Sequence, residues 1–153
     1  MGSASCVCGK CNLIVSNIIS TGICHCTLCR KMSSSAFSIN AVVPTESLTL
    51  ISGELKSCHL PSDTGTDSKL YFCVDCGSAS WTESNSMPGL KVLKAGVLDG
   101  TDALDNANLR PRAEQFVARR PSWLKEVNGA KQVESMQECV REALLRKLQR
   151  TTQ

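Results

Sequence analysis

The chain has 153 residues, the size of one ordinary domain, and a chain of that length buries roughly 70% of its unfolded surface without staples. Its 42% hydrophobic and 20% charged residues exclude a mainly disordered state, and no apolar run approaches the ~20 residues that cross a bilayer. Lys plus Arg (17) against Asp plus Glu (14) leaves +3, with 4% aromatics. That argues against a nucleic-acid binder, which needs a dense basic face or exposed stacking rings.

The first residues, Met1-Gly2-Ser3-Ala4-Ser5-Cys6, lack the basic and apolar regions of a secretory signal, so a cytoplasmic, reducing location is expected. There, the 10 cysteines are expected as metal ligands or buried thiols rather than disulfides. In chain order, β-like runs occur at Leu13-Ile14-Val15, 35–43, 48–51, 69–72 and 90–97. Turn residues punctuate them at Gly53, at Pro61-Ser62-Asp63-Thr64-Gly65 and at Met87-Pro88-Gly89. The pattern predicts antiparallel sheet and a mainly β domain over residues 1–130. From Ala130, Val133, Met136, Val140, Leu144 and Leu148 recur at helical steps among charged residues. This predicts an amphipathic helix in a C-terminal extension, 131–153, whose apolar stripe either docks on the same domain or makes a homo-oligomer contact. Cys139 would be a spare thiol within it.

Seven of the ten cysteines fall into three tight groups: Cys6-Val7-Cys8-Gly9, Cys24-His25-Cys26-Thr27-Leu28-Cys29 and Cys73-Val74-Asp75-Cys76-Gly77. A Cys-x-x-Cys turn followed by Gly points both thiolates at one ion and lets backbone N–H groups approach the sulfurs. Pairing Cys6 and Cys8 with Cys73 and Cys76 closes a tetrahedral zinc site between the start and the middle of the chain. Cys24, Cys26 and Cys29 are then a second set with no obvious fourth member, the form in which a catalytic zinc keeps a position open. Two alternatives stay open at this level: closure of the second set by Cys11 or His25, or redox-active thiols without a firmly held metal. His25 lies between two proposed ligands, where its ring is poorly directed to the same ion; a supporting or substrate-facing role is expected.

These motifs resemble the glutathione-dependent formaldehyde-activating enzyme family, which includes the centromere protein V-like domains. The resemblance rests on Cys6-Val7-Cys8-Gly9, on Cys24 to Lys31 leading to Ser35-Ala36-Phe37-Ser38, on Ser52-Gly53-Glu54, on Phe72 to Ser78, and on Ala95-Gly96-Val97-Leu98-Asp99. It runs from Cys6 to about Trp123; Ser34 departs from the Gly that many members carry, and the segment after Ala130 extends past the shared region. The resemblance implies a zinc-containing β-tent fold of antiparallel sheets. It also implies a structural ion on Cys6, Cys8, Cys73 and Cys76 and a more exchangeable one on Cys24, Cys26 and Cys29. The activity it implies is joining glutathione to formaldehyde as an S-hydroxymethyl adduct, classed with carbon–sulfur lyases.

The expected function is therefore a zinc-dependent carbon–sulfur lyase or related transferase acting on a small-molecule substrate, a glutathione or other thiol adduct of an electrophilic metabolite. Arg30 and Lys31 are candidates to hold the carboxylates of glutathione as co-substrate. His25 and Asp99 are the candidate proton-transfer residues, with a turn-initiating role for Asp99 as the simpler alternative. Trp81 and Trp123 are expected in core or partly buried packing, with pocket lining as the alternative, Phe37 and Phe72 in the core and His59 in solvent. Two other functions compete: a glutathione-independent zinc Lewis-acid enzyme catalysing elimination, isomerisation or cyclisation, and a non-catalytic zinc interaction module. No nucleic-acid or membrane partner is expected.

Overall fold

The computed structural model describes residues 2–61, 66–100, 102–135, 145 and 149. Alternation of buried and exposed side chains defines the smaller of two sheets. In β2 (Asn12–Val15), Leu13 and Val15 point inward while Ile14 faces out. β2 pairs antiparallel with β1 (Gly2–Ser5) on one side and β5 (Leu48–Ser52) on the other.

The larger sheet is built on a meander. Its members are β3 (Ser20–Cys24), β4 (Ser38–Pro44), β6 (Leu55–Leu60), β7 (Ser68–Cys73), β8 (Ala79–Ser84), β9 (Leu90–Lys94), β10 (Ala113–Gln115) and β11 (Lys131–Val133). Their spatial order is β11-β10-β3-β4-β9-β8-β7-β6. From β3 to β6 every pairing is antiparallel, as the sequence predicts; β10 departs from it, running parallel to both β3 and β11. Antiparallel neighbours need only tight turns, but β10 returns to the sheet after a long connection from β9 and so can enter in either direction.

The inner faces of the two sheets meet over one apolar cluster. Ala4, Leu13 and Val15 come from the small sheet, and Ala41, Val43, Trp81 and Leu93 from the large one. Trp81 fills the centre, its ring stacked on Tyr71 at 5.0 Å and its Nε1–H donated to Glu83 at 3.0 Å. Phe37 and Phe72 are half-buried rather than core. His59 stands in solvent beside Asp67, at the end of a strand.

A single helical segment interrupts the early strands: α1 (Thr27–Ser33), capped at its start by the Cys26 sulfur, which accepts the Cys29 N–H at 3.3 Å. Ser34 ends it at φ 50°, ψ 36°, the left-handed position that Gly occupies without strain. This gives the Ser34 departure from the family pattern a physical meaning. The predicted run 90–97 stops being a strand at Lys94, where Ala95–Val97 form a 3-10 turn.

The predicted C-terminal helix needs correction at its start. Lys131–Val133 form the edge strand β11, with Val133 buried, because β10 offers them a free parallel edge. Leu145 and Gln149 are helical, while Met136, Cys139, Val140, Leu144 and Leu148 lie outside the described residues. No helix among the described residues is long and apolar enough to cross a membrane.

Candidate metal centres

The first and third cysteine groups converge. Cys6 and Cys8 follow β1, Cys73 ends β7, Cys76 sits in the turn after it, and their four sulfurs lie within 4.8 Å of one another. Cys6 Sγ is 3.4 Å from Cys8 Sγ, and Cys8 Sγ is 3.9 Å from Cys73 Sγ. A tetrahedral zinc with Zn–S near 2.3 Å holds its sulfurs about 3.8 Å apart, so the set has the dimensions of a closed zinc site.

Backbone and hydroxyl groups already serve these sulfurs. The Cys11 N–H donates to Cys6 Sγ at 3.2 Å, and Ser78 Oγ lies 3.2 Å from Cys76 Sγ. The Ser78 hydroxyl and N–H bring the Cys76 thiol down to about 5. Lys10 and Asp75 join the two turns through a 2.5 Å ion pair at the surface. Cys11 itself is fully buried beside this group, not beside the second one; burial first, and Cys73 next, push its thiol up to about 12. It donates to the Glu54 carbonyl at 3.3 Å, so the option of Cys11 closing the second set fails on position.

The second set gathers where β3 meets α1. Cys24 ends β3, Cys26 caps α1, Cys29 lies in its first turn, and the three sulfurs are within 4.8 Å of one another. Among the described residues no further His, Cys, Asp or Glu donor joins them. Cys24 and Cys29 are buried while Cys26 is half-exposed, so the open side of the set lies at Cys26. Hydrogen bonds from Cys24 and Cys29 hold the Cys26 thiol at about 2, and that same neighbour drives Cys24 far up. Three crowded thiols thus share a charge that only a cation could let all of them carry, which is the chemistry of a metal ligand set.

Two strands bring polar groups that the sequence gives no sign of. Asn40 on β4 directs Nδ2 towards Cys29 Sγ at 4.0 Å, and its Oδ1 accepts from Ser38 Oγ at 2.9 Å and from Lys94 Nζ at 3.1 Å. Lys94 ends β9 and is buried. Burial lowers its ammonium, while the thiolates of Cys29, Cys24 and Cys26 pull the other way. A buried cation at this position opposes the negative charge that ionisation of the three thiols would bring.

Arg30 and Lys31 are exposed on α1 and, with Thr27, Ser34 and Ser35, line a recess of about 240 Å³. His25 is fully enclosed: Nε2 is 2.8 Å from Glu114 Oε1, Nδ1 is 3.4 Å from the Ala36 carbonyl, and the Phe37 ring meets it edge-on at 5.8 Å. No face of the His25 ring reaches solvent. Asp99 is exposed, accepts from Ser5 Oγ at 2.5 Å and donates its N–H to the Ser3 carbonyl at 3.0 Å, fastening β1. It lines a separate cleft with Ser3, Asn17, Asn106 and Arg112, and no cysteine is in that lining. Trp123, expected in core or partly buried packing, is 74% exposed, because it falls in a turn rather than in a strand of either sheet.

No curated protein matches the chain. A crystal structure of a Rhodobacter sphaeroides protein, a structural-genomics target, is similar with a TM-score of 0.55 and 21% identity, covering 70% of this chain and 96% of that one. At that identity the likeness concerns the fold. The profile of the family described as glutathione-dependent formaldehyde-activating enzyme matches residues 1–119, which include all seven clustered cysteines. The chain belongs to that family.

Proposed function

We propose that the chain is a zinc-dependent carbon–sulfur lyase or related transferase, which makes or breaks the bond between a thiol of the glutathione type and the carbonyl carbon of an electrophilic metabolite. One observation carries the reading: the seven clustered cysteines gather into a set of four and a set of three, and the set of three, with no fourth His, Cys, Asp or Glu donor among the described residues, has the half-exposed Cys26 at its rim. When bound by three thiolates with a position free, zinc supplies Lewis acidity and a place where a thiol loses its proton. The reaction is balanced without any other reactant. The thiol sulfur bonds to the carbonyl carbon, the C=O π pair moves to oxygen, and the thiol proton ends there; the reverse breaks the C–S bond.

The chain's own residues have distinct parts in this reading. Arg30, by a two-pronged contact, and Lys31, as a point charge, bind the carboxylates of a glutathione-like thiol along the recess they line on α1, the helix that Cys26 caps. Asn40 and Lys94 offset the negative charge of the thiolates from the buried side. His25, which is enclosed, and Asp99, which lines a different cleft, are given no proton-transfer part in this reading.

The test compares two substitutions. Cys73→Ser should remove the constraint between the start and the middle of the chain and leave insoluble or unfolded protein. Cys26→Ser should remain soluble and near-native by circular dichroism, with one zinc fewer and little turnover of a thiol–aldehyde adduct. Full activity in Cys26→Ser, or unfolding as severe as in Cys73→Ser, would refute the reading. Turnover undiminished without any added thiol would favour the glutathione-independent Lewis-acid enzyme instead.

A further inference from the structure

Glu114 is 1% exposed in the middle of β10, and such a carboxylate persists only where donors surround it. Four do. Its Oε1 accepts from His25 Nε2 at 2.8 Å; its Oε2 accepts from Gln132 Nε2 at 2.9 Å, Arg120 NH1 at 3.0 Å and the Val127 N–H at 3.1 Å. Arg120 also donates to Gln132 Oε1 at 2.7 Å, so the donors hold one another as well.

His25 is the member of this network that touches the metal loop, because it lies between Cys24 and Cys26 in the chain. Its N–H donates to the Gln115 carbonyl at 3.0 Å, and Cys26 after it is extended, at φ −62°, ψ 155°. In an extended segment alternate side chains point to opposite sides. Turning His25 towards Glu114 therefore turns Cys24 and Cys26 together to the other side, where Cys29 meets them. The family profile ends at residue 119, whereas Arg120, Val127 and Gln132 all lie beyond it.

We propose that Glu114 is a positioning residue of the three-cysteine centre: it acts through His25 to aim Cys24 and Cys26, and the segment 120–132, outside the family-matched region, fixes Glu114 in turn. This rests on the reading that Cys24, Cys26 and Cys29 hold a metal ion. Groups that orient a metal loop from outside its ligands typically change metal affinity by about 10–100-fold.

The experiment strips the full-length protein of metal under reducing conditions and titrates it with Co²⁺ alone, following thiolate-to-cobalt absorption and stoichiometry. Wild type should take up two ions, and Cys26→Ser should lose the weaker. His25→Leu, which keeps the volume but not the N–H, should weaken that second ion about 10–100-fold and leave the first unchanged. His25→Gln, which can still donate to Glu114, should recover the affinity to within a few-fold. Gln132→Leu, which removes one of four donors, should weaken the second ion by about 2–10-fold, and it decides the matter alone if His25→Leu does not fold. Unchanged second-ion affinity in the folded variants, or His25→Gln as weak as His25→Leu, would overturn the positioning role while leaving the metal centre standing. Uptake of a single ion by wild type, unaffected by Cys26→Ser, would overturn the metal reading and the positioning role with it.

Discussion

Gly53 lies between β5 and β6 at φ +88°, and a Cβ there would stand 2.6 Å from the Lys10 carbonyl oxygen and 2.7 Å from both Cα and Sγ of Cys11. Nothing at that distance can remain in place, and two of the three obstacles are backbone. Gly53→Ala therefore combines left-handed strain of about 1–2 kcal/mol with overpacking of about 1–3 kcal/mol. A loss of unfolded-state entropy offsets about 0.4–1 kcal/mol of this. The net destabilisation is about 2–4 kcal/mol, or a Tm lower by roughly 4–16 °C in a chain of this size. The displaced residues also serve the closed cysteine site, since the Cys11 N–H donates to Cys6 Sγ. Zinc content should fall together with stability, read by thermal unfolding and metal analysis on the same sample. Gly9 is the control: its φ is +74°, but nothing lies within 4 Å of its Cβ position, so Gly9→Ala should show strain without overpacking. A Gly53→Ala Tm within 2 °C of wild type, or equal effects at the two glycines, would refute the claim that close approach to Cys11 dictates the glycine.

Ser34→Gly should stabilise the protein by about 0.5–1 kcal/mol, measured by urea midpoint, because Ser34 holds a left-handed cap at φ 50°; a loss of stability would mean that the hydroxyl has a role of its own. Burial alone would raise the Glu114 carboxyl, but hydrogen bonds from His25, Gln132, Val127 and Arg120 outweigh it and hold it at about 2 against an ordinary 4.5. A lowered carboxyl contributes its stability above the unfolded value, here about 3 kcal/mol. That contribution should drain away as pH falls from about 4.5 to about 2, and the slope should flatten in Gln132→Leu. Cys11→Ala should keep the zinc stoichiometry of wild type, since Cys11 is buried beside the closed site without being one of its four grouped sulfurs; the loss of one zinc would make it a ligand.

The strands legible in the sequence are those whose residues carry the signal themselves. Leu13 and Val15 alternate with outward neighbours in β2, and in β9 Leu90, Val92 and Leu93 follow the Met87-Pro88-Gly89 turn. β1 is Gly-Ser-Ala-Ser, a segment without β propensity that becomes a strand through pairing with β2 and the seating of Ala4 in the core. α1 is seven residues long, too short for a helical period to declare itself, and it is capped by a thiol rather than by a Ser, Thr, Asp or Asn. Val133 fits the helical spacing that continues to Met136, yet the parallel edge of β10 recruits it into a strand. Local pattern loses to tertiary pairing where an open edge is near.

The candidate centre divides along the same line. Clustered cysteine ligands follow one another at steps of two or three positions, so spacing alone sorts Cys6, Cys8, Cys73 and Cys76 from Cys24, Cys26 and Cys29. Groups that surround them, such as Asn40, Lys94 and Glu114, come singly from β4, β9 and β10, and no local motif announces them. Charge shows why these are the informative positions. The chain's +3 is the balance of 17 Lys and Arg against 14 Asp and Glu and reveals little. What matters is that Lys94 and Glu114, opposite in sign, are both buried within reach of one cysteine loop, Lys94 through Asn40 and Glu114 through His25. A buried charge is costly unless it finds partners: Glu114 is paired with Arg120 and hydrogen-bonded by His25, Gln132 and Val127, and Lys94 donates to Asn40 beside the three sulfurs. Lys94 faces the thiolates and balances their charge, while Glu114 faces away from them and holds the backbone that carries them. In the proposed arrangement the same loop is thus neutralised from one side and aimed from the other, and among the described residues it is the three-cysteine set that receives both.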